Sequence, residues 1–257
     1  MLRRPPSGVC IAKSVDLQRD LAHQLWPIHF CIPIQGTDTQ LHPLESIGLW
    51  AQQLTPDLKP NRPALFLDRD GVVVEEVHFL RRIEDVRLSF GVAEAIARVN
   101  AGGIPVVIVT NQSGIARGHF GWEEFATVQA EIIRQLATRG ARLDAVLACA
   151  YHGSGIPPFD VDECDWRKPG PGMLFAARDR MELDLARSVI IGDRLSDLEA
   201  GRNAGLRSGT LVLTGYGAEN VRALEDCRFD WARNGYETAI AEGPAAAIEA
   251  ALRQMSA

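Results

Sequence analysis

Phe66-Leu67-Asp68-Arg69-Asp70-Gly71-Val72 closes an apolar run that starts at Ala64 and ends abruptly in two carboxylates separated by one residue. The glycine that follows can take backbone angles closed to other residues. The stretch therefore reads as a strand, Ala64 to Leu67, that delivers acids into a turn at its carboxyl end. Open parallel α/β sheets bind their ligands at that edge. A calcium loop also begins with acids at this spacing, but it needs a third oxygen ligand where Val72 stands.

Outward from this point, apolar strand patterns alternate with helical ones. Pro105 to Val109, Asp144 to Cys149, Ser188 to Ile191 and Thr210 to Leu213 are short β-rich runs. Val92, Ile96 and Val99 form a helical stripe stopped by Gly102 and Gly103, and Phe125, Val128, Ile132 and Leu136 form a longer one that ends near Gly140. Ser196-Asp197-Leu198-Glu199 has capping-box spacing and opens a further helix after Gly192. Such alternation predicts an α/β fold, a Rossmann-like doubly wound parallel sheet, over residues 63–257.

Three more islands share the chemistry of the first. Val109-Thr110-Asn111-Gln112-Ser113-Gly114 ends a strand in a hydroxyl and amides, which can donate hydrogen bonds to an oxyanion without adding charge. Arg167-Lys168-Pro169-Gly170-Pro171-Gly172 sets two cations before a proline-fixed helix start, a place that favours phosphate. Val189-Ile190-Ile191-Gly192-Asp193 again ends a strand in a carboxylate. Together they bring acids, cations and a hydroxyl to one sheet edge.

On these residues the chain resembles the haloacid dehalogenase superfamily of phosphohydrolases. Asp68-Arg69-Asp70-Gly71-Val72 matches its first motif, Thr110 its second, Lys168 its third, and Asp193 with Asp197 its fourth. The resemblance implies that Asp68 is the nucleophile, that Asp70 is the acid/base, and that Thr110 and Lys168 hold phosphate oxygens. It places Mg²⁺ among Asp68, the Asp70 backbone carbonyl and Asp193, with Asp197 positioning Lys168 or the metal shell. Superfamily members that store the aspartyl phosphate carry threonine where Asp70 stands, so hydrolysis is expected. A noncatalytic binding protein on the same fold would have no chemical need for Asp68, Asp70, Lys168 and Asp193 together. The short gaps between motifs imply an essentially uncapped enzyme.

The longer strings Thr110 to Gly118 and Arg167 to Met173 are similar to the heptose bisphosphate and histidinol phosphatases within that superfamily. That likeness implies a small phosphorylated sugar as substrate. It assigns Arg167, Asn111, Gln112 and Ser113 to substrate, Glu76, Val77, His78 and Phe79 to a substrate-facing loop, and Arg194 to a position usually held by lysine. Arg117 and His119 are candidates for a distal phosphate. These relatives also hold a zinc ion with three cysteines and a histidine. Here Cys149, His152 and Cys164 remain near that pattern, but Tyr151 and Trp166 replace two ligands. Zinc wants four soft or borderline ligands in a closed tetrahedron, so this loop is expected to be held by Tyr151, Trp166, Pro157 and Pro158 instead.

The whole chain sets outer bounds. It has 257 residues and a formal net charge of −6 with no basic run, which disfavours nucleic acid as a partner. No stretch approaches the ~20 apolar residues of a membrane span, and no secretory core opens the chain; a cytoplasmic protein is expected. Five scattered cysteines, an odd number, suit reduced thiols. Residues 1–62 are interrupted by seven prolines and are expected to form an N-terminal extension, poor in order, whose apolar segments Ile28 to Ile34 and Ile47 to Leu54 pack onto a neighbour at most.

Overall fold

The computed structural model describes residues 44–56 and 58–256. The expectations for Ile28 to Ile34, Cys10 and Cys31 lie outside the described residues. The strands are β1 (Leu44–Ser46), β2 (Leu49–Gln53), β3 (Leu65–Leu67), β4 (Val106–Asn111), β5 (Ala145–Cys149), β6 (Val189–Gly192), β7 (Ser208–Val212) and β8 (Glu237–Ala241). They form one sheet in the order β1-β2-β5-β4-β3-β6-β7-β8. The pairs from β5 across to β8 are parallel, and only β1 with β2 and β2 with β5 run antiparallel. Chain order reverses at β3, which lies between β4 and β6, so the crevice that such reversals open falls at the strand carrying Asp68.

The helices are α1 (Val92–Ala101), α2 (Ser113–Ala116), α3 (Trp122–Ala137), α4 (Gly172–Met181), α5 (Leu195–Asn203), α6 (Gly217–Arg233) and α7 (Pro244–Ser256). Strand side chains alternate faces, and the core divides accordingly. Leu65, Leu67, Val106, Ile108, Val189 and Ile191 face one cluster, closed by the apolar stripes of α1, α3 and α7. Phe66, Val107, Val109, Leu147 and Ile190 face the other, closed by α4, α5 and α6. A strand buried on both faces has no polar alternation to show, which is why these runs read as continuously apolar. Among the described residues no helix is long and apolar enough to cross a membrane.

Two details depart from the sequence reading, and a third adds to it. Ile47 to Leu54 is not a satellite segment of an extension: Leu49 to Gln53 pair residue by residue with Cys149 to Ala145, so the folded unit starts well before residue 63. The exposed edge of β5 needs a hydrogen-bonding partner, and Trp50 and Ala51 drop into opposite clusters as they supply it. The cap of α5 lies earlier than Ser196. Its N-cap is Arg194, whose backbone N–H donates to the Asp197 carboxylate at 2.9 Å. Finally, Asp144 is a fully buried acid whose Oδ2 accepts the Val106 N–H at 2.8 Å, fastening the start of β5 to β4.

Leu147 sits at the centre of β5 with almost no exposure. Leu147→Ala is expected to destabilise the fold by about 2–5 kcal/mol in denaturant titration; a loss below ~1 kcal/mol would contradict the packing described here.

Candidate active site

The carboxyl ends of β3, β4 and β6 open into a cavity of ≈510 Å³. β3 places Asp68 there, its backbone N–H bonded to Ile191 O at 3.0 Å. The chain then turns sharply, with Gly71 N–H on Val74 O at 2.8 Å and Gly71 at φ 79°. Gly71 and Gly215 both approach the Asp193 carboxylate so closely that a Cβ on either would collide with it.

Asp70 is gripped from two sides. Arg69 Nε lies 3.2 Å from both its oxygens and Arg69 Nη2 3.0 Å from Oδ2, while Gln112 Nε2 donates to Oδ2 at 3.0 Å. Arg69 is itself buried, with its guanidinium 5.1 Å from the Phe125 ring centre. The sequence reading missed Arg69 and gave Gln112 to substrate. The structure shows Gln112 also tying Asp70 to Thr110, whose Oγ1 accepts from Nε2 at 2.9 Å. With that lone pair engaged, the Thr110 hydroxyl proton is free to point into the cavity.

Lys168 is buried against three oxygens. Its ammonium donates to Asp68 Oδ1 at 2.9 Å and Val109 O at 2.8 Å, and pairs with Asp197 Oδ1 at 2.6 Å. Asn111 fixes the backbone beneath it, accepting from Lys168 N–H and donating to Lys168 O, each at 3.0 Å. Burial opposes the charge on Lys168, but Asp197 and Asp68 outweigh it and hold its pKa above the usual lysine value.

Asp68, Asp193 and Asp197 each offer an oxygen within 4.8 Å of the others. Asp193 Oδ2 accepts the Tyr216 N–H at 2.8 Å, whereas its buried Oδ1 has no partner. An orphaned carboxylate oxygen among other hard oxygens suits a small divalent cation such as Mg²⁺. Burial pushes the Asp68 carboxyl up to about 6, with Lys168 opposing and the Asp197 and Asp70 charges adding. Burial, then the charges of Asp68 and Asp197, push Asp193 up to about 8.

A family model described as HAD-hydrolase-like matches residues 165–233. A D-glycero-β-D-manno-heptose-1,7-bisphosphate 7-phosphatase of Mesorhizobium japonicum is 46% identical over 172 residues, which are 66% of this chain and 79% of that one. The chain belongs to the haloacid dehalogenase-like phosphatases. A D-glycero-D-manno-heptose-1,7-bisphosphate 7-phosphatase of Thermosynechococcus vestitus matches the phosphatase at 41% identity, covering 73% of this chain and 94% of its own. Among solved structures, the D,D-heptose 1,7-bisphosphate phosphatase from B. bronchiseptica, complexed with magnesium and phosphate, is 32% identical with a TM-score of 0.62, covering 75% of this chain and 99% of that chain.

Around the phosphatase's acids the remaining sequence-selected residues separate. Glu76, His78, Phe79, Asn111, Ser113, Arg167 and Arg194 line the cavity, as do Arg117 and His152. Val77 does not, and is exposed. His78 and Phe79 hold φ of 41° and 65°, costly for residues with a Cβ; the Phe79 ring stacks 4.2 Å from His119. Burial and the Asp70 charge raise the pKa of Glu76. Tyr216, which the sequence reading passed over, lies 3.7 Å beneath the Arg194 guanidinium. No spacing rule marks it, because a strand, a turn and the start of α6 bring it there.

The cysteine loop stands apart from the acids. Cys149 and Cys164 sulfurs are 3.9 Å apart. The His152 ring is engaged elsewhere, its Nδ1 accepting from Ser154 N–H at 3.0 Å. Tyr151 packs over Gly48 and lies 3.3 Å from the Ser46 hydroxyl, and Trp166 packs into the second cluster.

The raised acids carry a pH consequence. Metal-free folded protein holds protons on Asp68 and Asp193 that the unfolded chain, with aspartates near ~3.9, has released. The folded state binds more protons between ~4 and ~8, so its stability falls as pH rises through that window. Chelator-treated protein is therefore expected to melt at lower temperature at pH 8 than at pH 5, and Mg²⁺ to raise the melting temperature more at pH 8. A Mg²⁺ effect equal at both pH values would contradict the proton occupancy.

Proposed function

We propose that the phosphatase removes the 7-phosphate of D-glycero-β-D-manno-heptose 1,7-bisphosphate. The observation that carries the reading is that three acids and three arginines without a carboxylate partner among the described residues line one cavity. Asp68, Asp70 and Asp193 line it together with Arg117, Arg167 and Arg194. A substrate with two phosphates fits such a cavity, since one phosphate needs the acids' chemistry and the other needs only neutralisation. The names of the relatives support the same sugar.

In this reading Asp68 attacks phosphorus in line and forms an acyl phosphate while the P–O7 bond breaks, and Asp70 delivers its proton to O7. Water then attacks the same phosphorus, Asp70 takes its proton, and phosphate leaves with Asp68 regenerated. Arg69 and Gln112 keep the Asp70 carboxyl aimed at the oxygen that changes proton ownership. Thr110 and Lys168 hold the non-reacting phosphate oxygens. Asp68, Asp193 and the Asp70 carbonyl would hold Mg²⁺, which would supply charge neutralisation at the transferring phosphate. Asn111 serves by fixing Lys168 rather than by touching sugar.

Asp68→Asn is expected to lower kcat by at least ~10³-fold while leaving the melting temperature near or above that of the parent. Against histidinol phosphate and a panel of hexose phosphates, heptose 1,7-bisphosphate is expected to show kcat/KM at least ~10²-fold higher. Activity surviving in the Asn variant would remove the nucleophile assignment, and equal slow rates across the panel would remove the sugar.

A further inference from the structure

β5 ends in Cys149, and the loop that leaves it brings Cys164 back to the same place, with the two sulfurs 3.9 Å apart. Cys149 is fully buried, whereas Cys164 is half-buried between the exposed Glu163 and Asp165. One thiol can therefore meet a small solute while the other lies behind it. The hydrogen bond from Cys149, then the backbone N–H groups of Trp166 and Arg167, hold the Cys164 thiol below its ordinary pKa against the effect of burial. The same contact, with burial, pushes Cys149 up. Because the thiolate is the nucleophile, the outer sulfur is the reactive one and the inner sulfur keeps its proton.

Both cysteines are joined by backbone to the residues that seat Lys168. Cys149 lies in register with Asn111 across the β4–β5 pairing, and its carbonyl accepts the Gln112 N–H at 2.7 Å. Asn111 is the residue that clamps the Lys168 backbone. On the other side Cys164 opens a tight turn into α4: its carbonyl accepts the Arg167 N–H at 2.8 Å, and Asp165 O accepts the Gly172 N–H at 2.7 Å. A Cβ at Gly170 would lie 2.3 Å from Asp165 O, and one at Gly172 would lie 2.8 Å from Asp165 C. A turn wound this closely has no slack, so displacement of Cys164 carries Arg167 and Lys168 with it.

We infer that Cys164 and Cys149 form a reversible oxidation site, at which a hydroperoxide joins the two sulfurs and the disulfide draws the Cys164 turn off the position that seats Lys168. The Cys164 thiolate attacks one peroxide oxygen, the O–O bond breaks, and the departing oxygen takes up a proton and leaves as water. The Cys149 thiol then attacks the Cys164 sulfenic sulfur, the S–O bond breaks, and that oxygen leaves as a second water with the Cys149 proton. Two thiols lose two electrons and one peroxide gains them. Joining the sulfurs closes their separation to about 2.05 Å. β5 is paired on both sides, with β2 and β4, so the turn rather than the strand takes up the movement. A shift on the order of 1 Å beneath a reacting group is enough to slow turnover strongly.

The test treats the full-length, Mg²⁺-loaded phosphatase with a small excess of hydrogen peroxide, removes the peroxide with catalase, and divides the sample. One half is alkylated and digested for mass spectrometry. The other is assayed on whichever phosphomonoester of the panel above the parent hydrolyses fastest, so that failure of the sugar assignment does not touch the result. A Cys149–Cys164 cross-link is expected, with kcat lowered ~10-fold or more and restored by dithiothreitol. Cys164→Ser is expected to keep the parent's activity and to lose its sensitivity to peroxide; Cys149→Ala is a second such variant, and thermal melting checks that each folds. Absence of the cross-link, with Cys164 carried on to sulfinic acid alone, overturns the inference. So does a cross-link that leaves kcat unchanged. An equal loss in Cys164→Ser also overturns it, since oxidation elsewhere, as at the partly exposed Cys227, would then be the cause.

Discussion

One ammonium makes the floor of this site possible. Lys168 is buried between Asp68 and Asp197, with Val109 O taking a further donor. Asp68, Asp193 and Asp197 would otherwise be a cluster of buried carboxylates with nothing to oppose them, and burial of unpaired charge is among the largest costs in a protein interior. Lys168 offsets only part of it. With all three acids ionised, two negative charges remain uncompensated. Burial first, and then this excess charge, raise the pKa values of Asp68 and Asp193. A divalent cation would balance the excess, and the partnerless, buried Asp193 Oδ1 is an oxygen suited to hold one.

Because so much depends on Lys168, the fold holds it by the backbone as well. Asn111, the last residue of β4, clamps both the N–H and the C=O of Lys168. On the same strand end, Gln112 couples Thr110 to Asp70. A single strand terminus therefore registers both Lys168, which balances Asp68, and Asp70. Arg69 completes the second arrangement as a buried cation paired with Asp70, so that removal of either partner strands a charge. Hydrolytic chemistry on this floor is a matter of preorganised charge more than of movement.

Much of this was legible in the sequence because polar side chains at strand ends carry two signals at once, an apolar run and an abrupt polar stop. Asp68, Thr110 and Asp193 announce themselves that way, and the parallel sheet follows from the same runs. Lys168 came through its neighbours rather than through a strand. Other parts had no local signature. Leu49 to Gln53 looks like an apolar fragment among prolines, and only the open edge of β5 makes it a strand. Arg69 lies between two acids in a stretch where any charge passes as surface, and its burial is decided by Phe125 on a distant helix. Tyr216 reaches the cavity through a turn after β7. Val77, assigned to substrate with its neighbours, faces away because its flap is not a regular element.

The cysteine loop is held by aromatic packing and main-chain bonds. Tyr151 and Trp166 stand where metal ligands would be expected, and each packs: Tyr151 over Gly48 beside β2, Trp166 into the second cluster. The antiparallel strand that the sequence did not disclose is thus part of the support of this loop, through Ala150 N–H on Gly48 O at 2.8 Å. From the other side, the backbone bond from Ile156 to Ala116 ties the loop to the segment after Thr110. Aromatic packing and main-chain bonds tolerate small shifts that tetrahedral coordination does not. What they must preserve is the direction of Arg167, which leaves the loop one residue before Lys168 and stays tied to Tyr151 O. The support is shared among a strand, two aromatic rings and a neighbouring loop, and the charge it presents still faces the cavity.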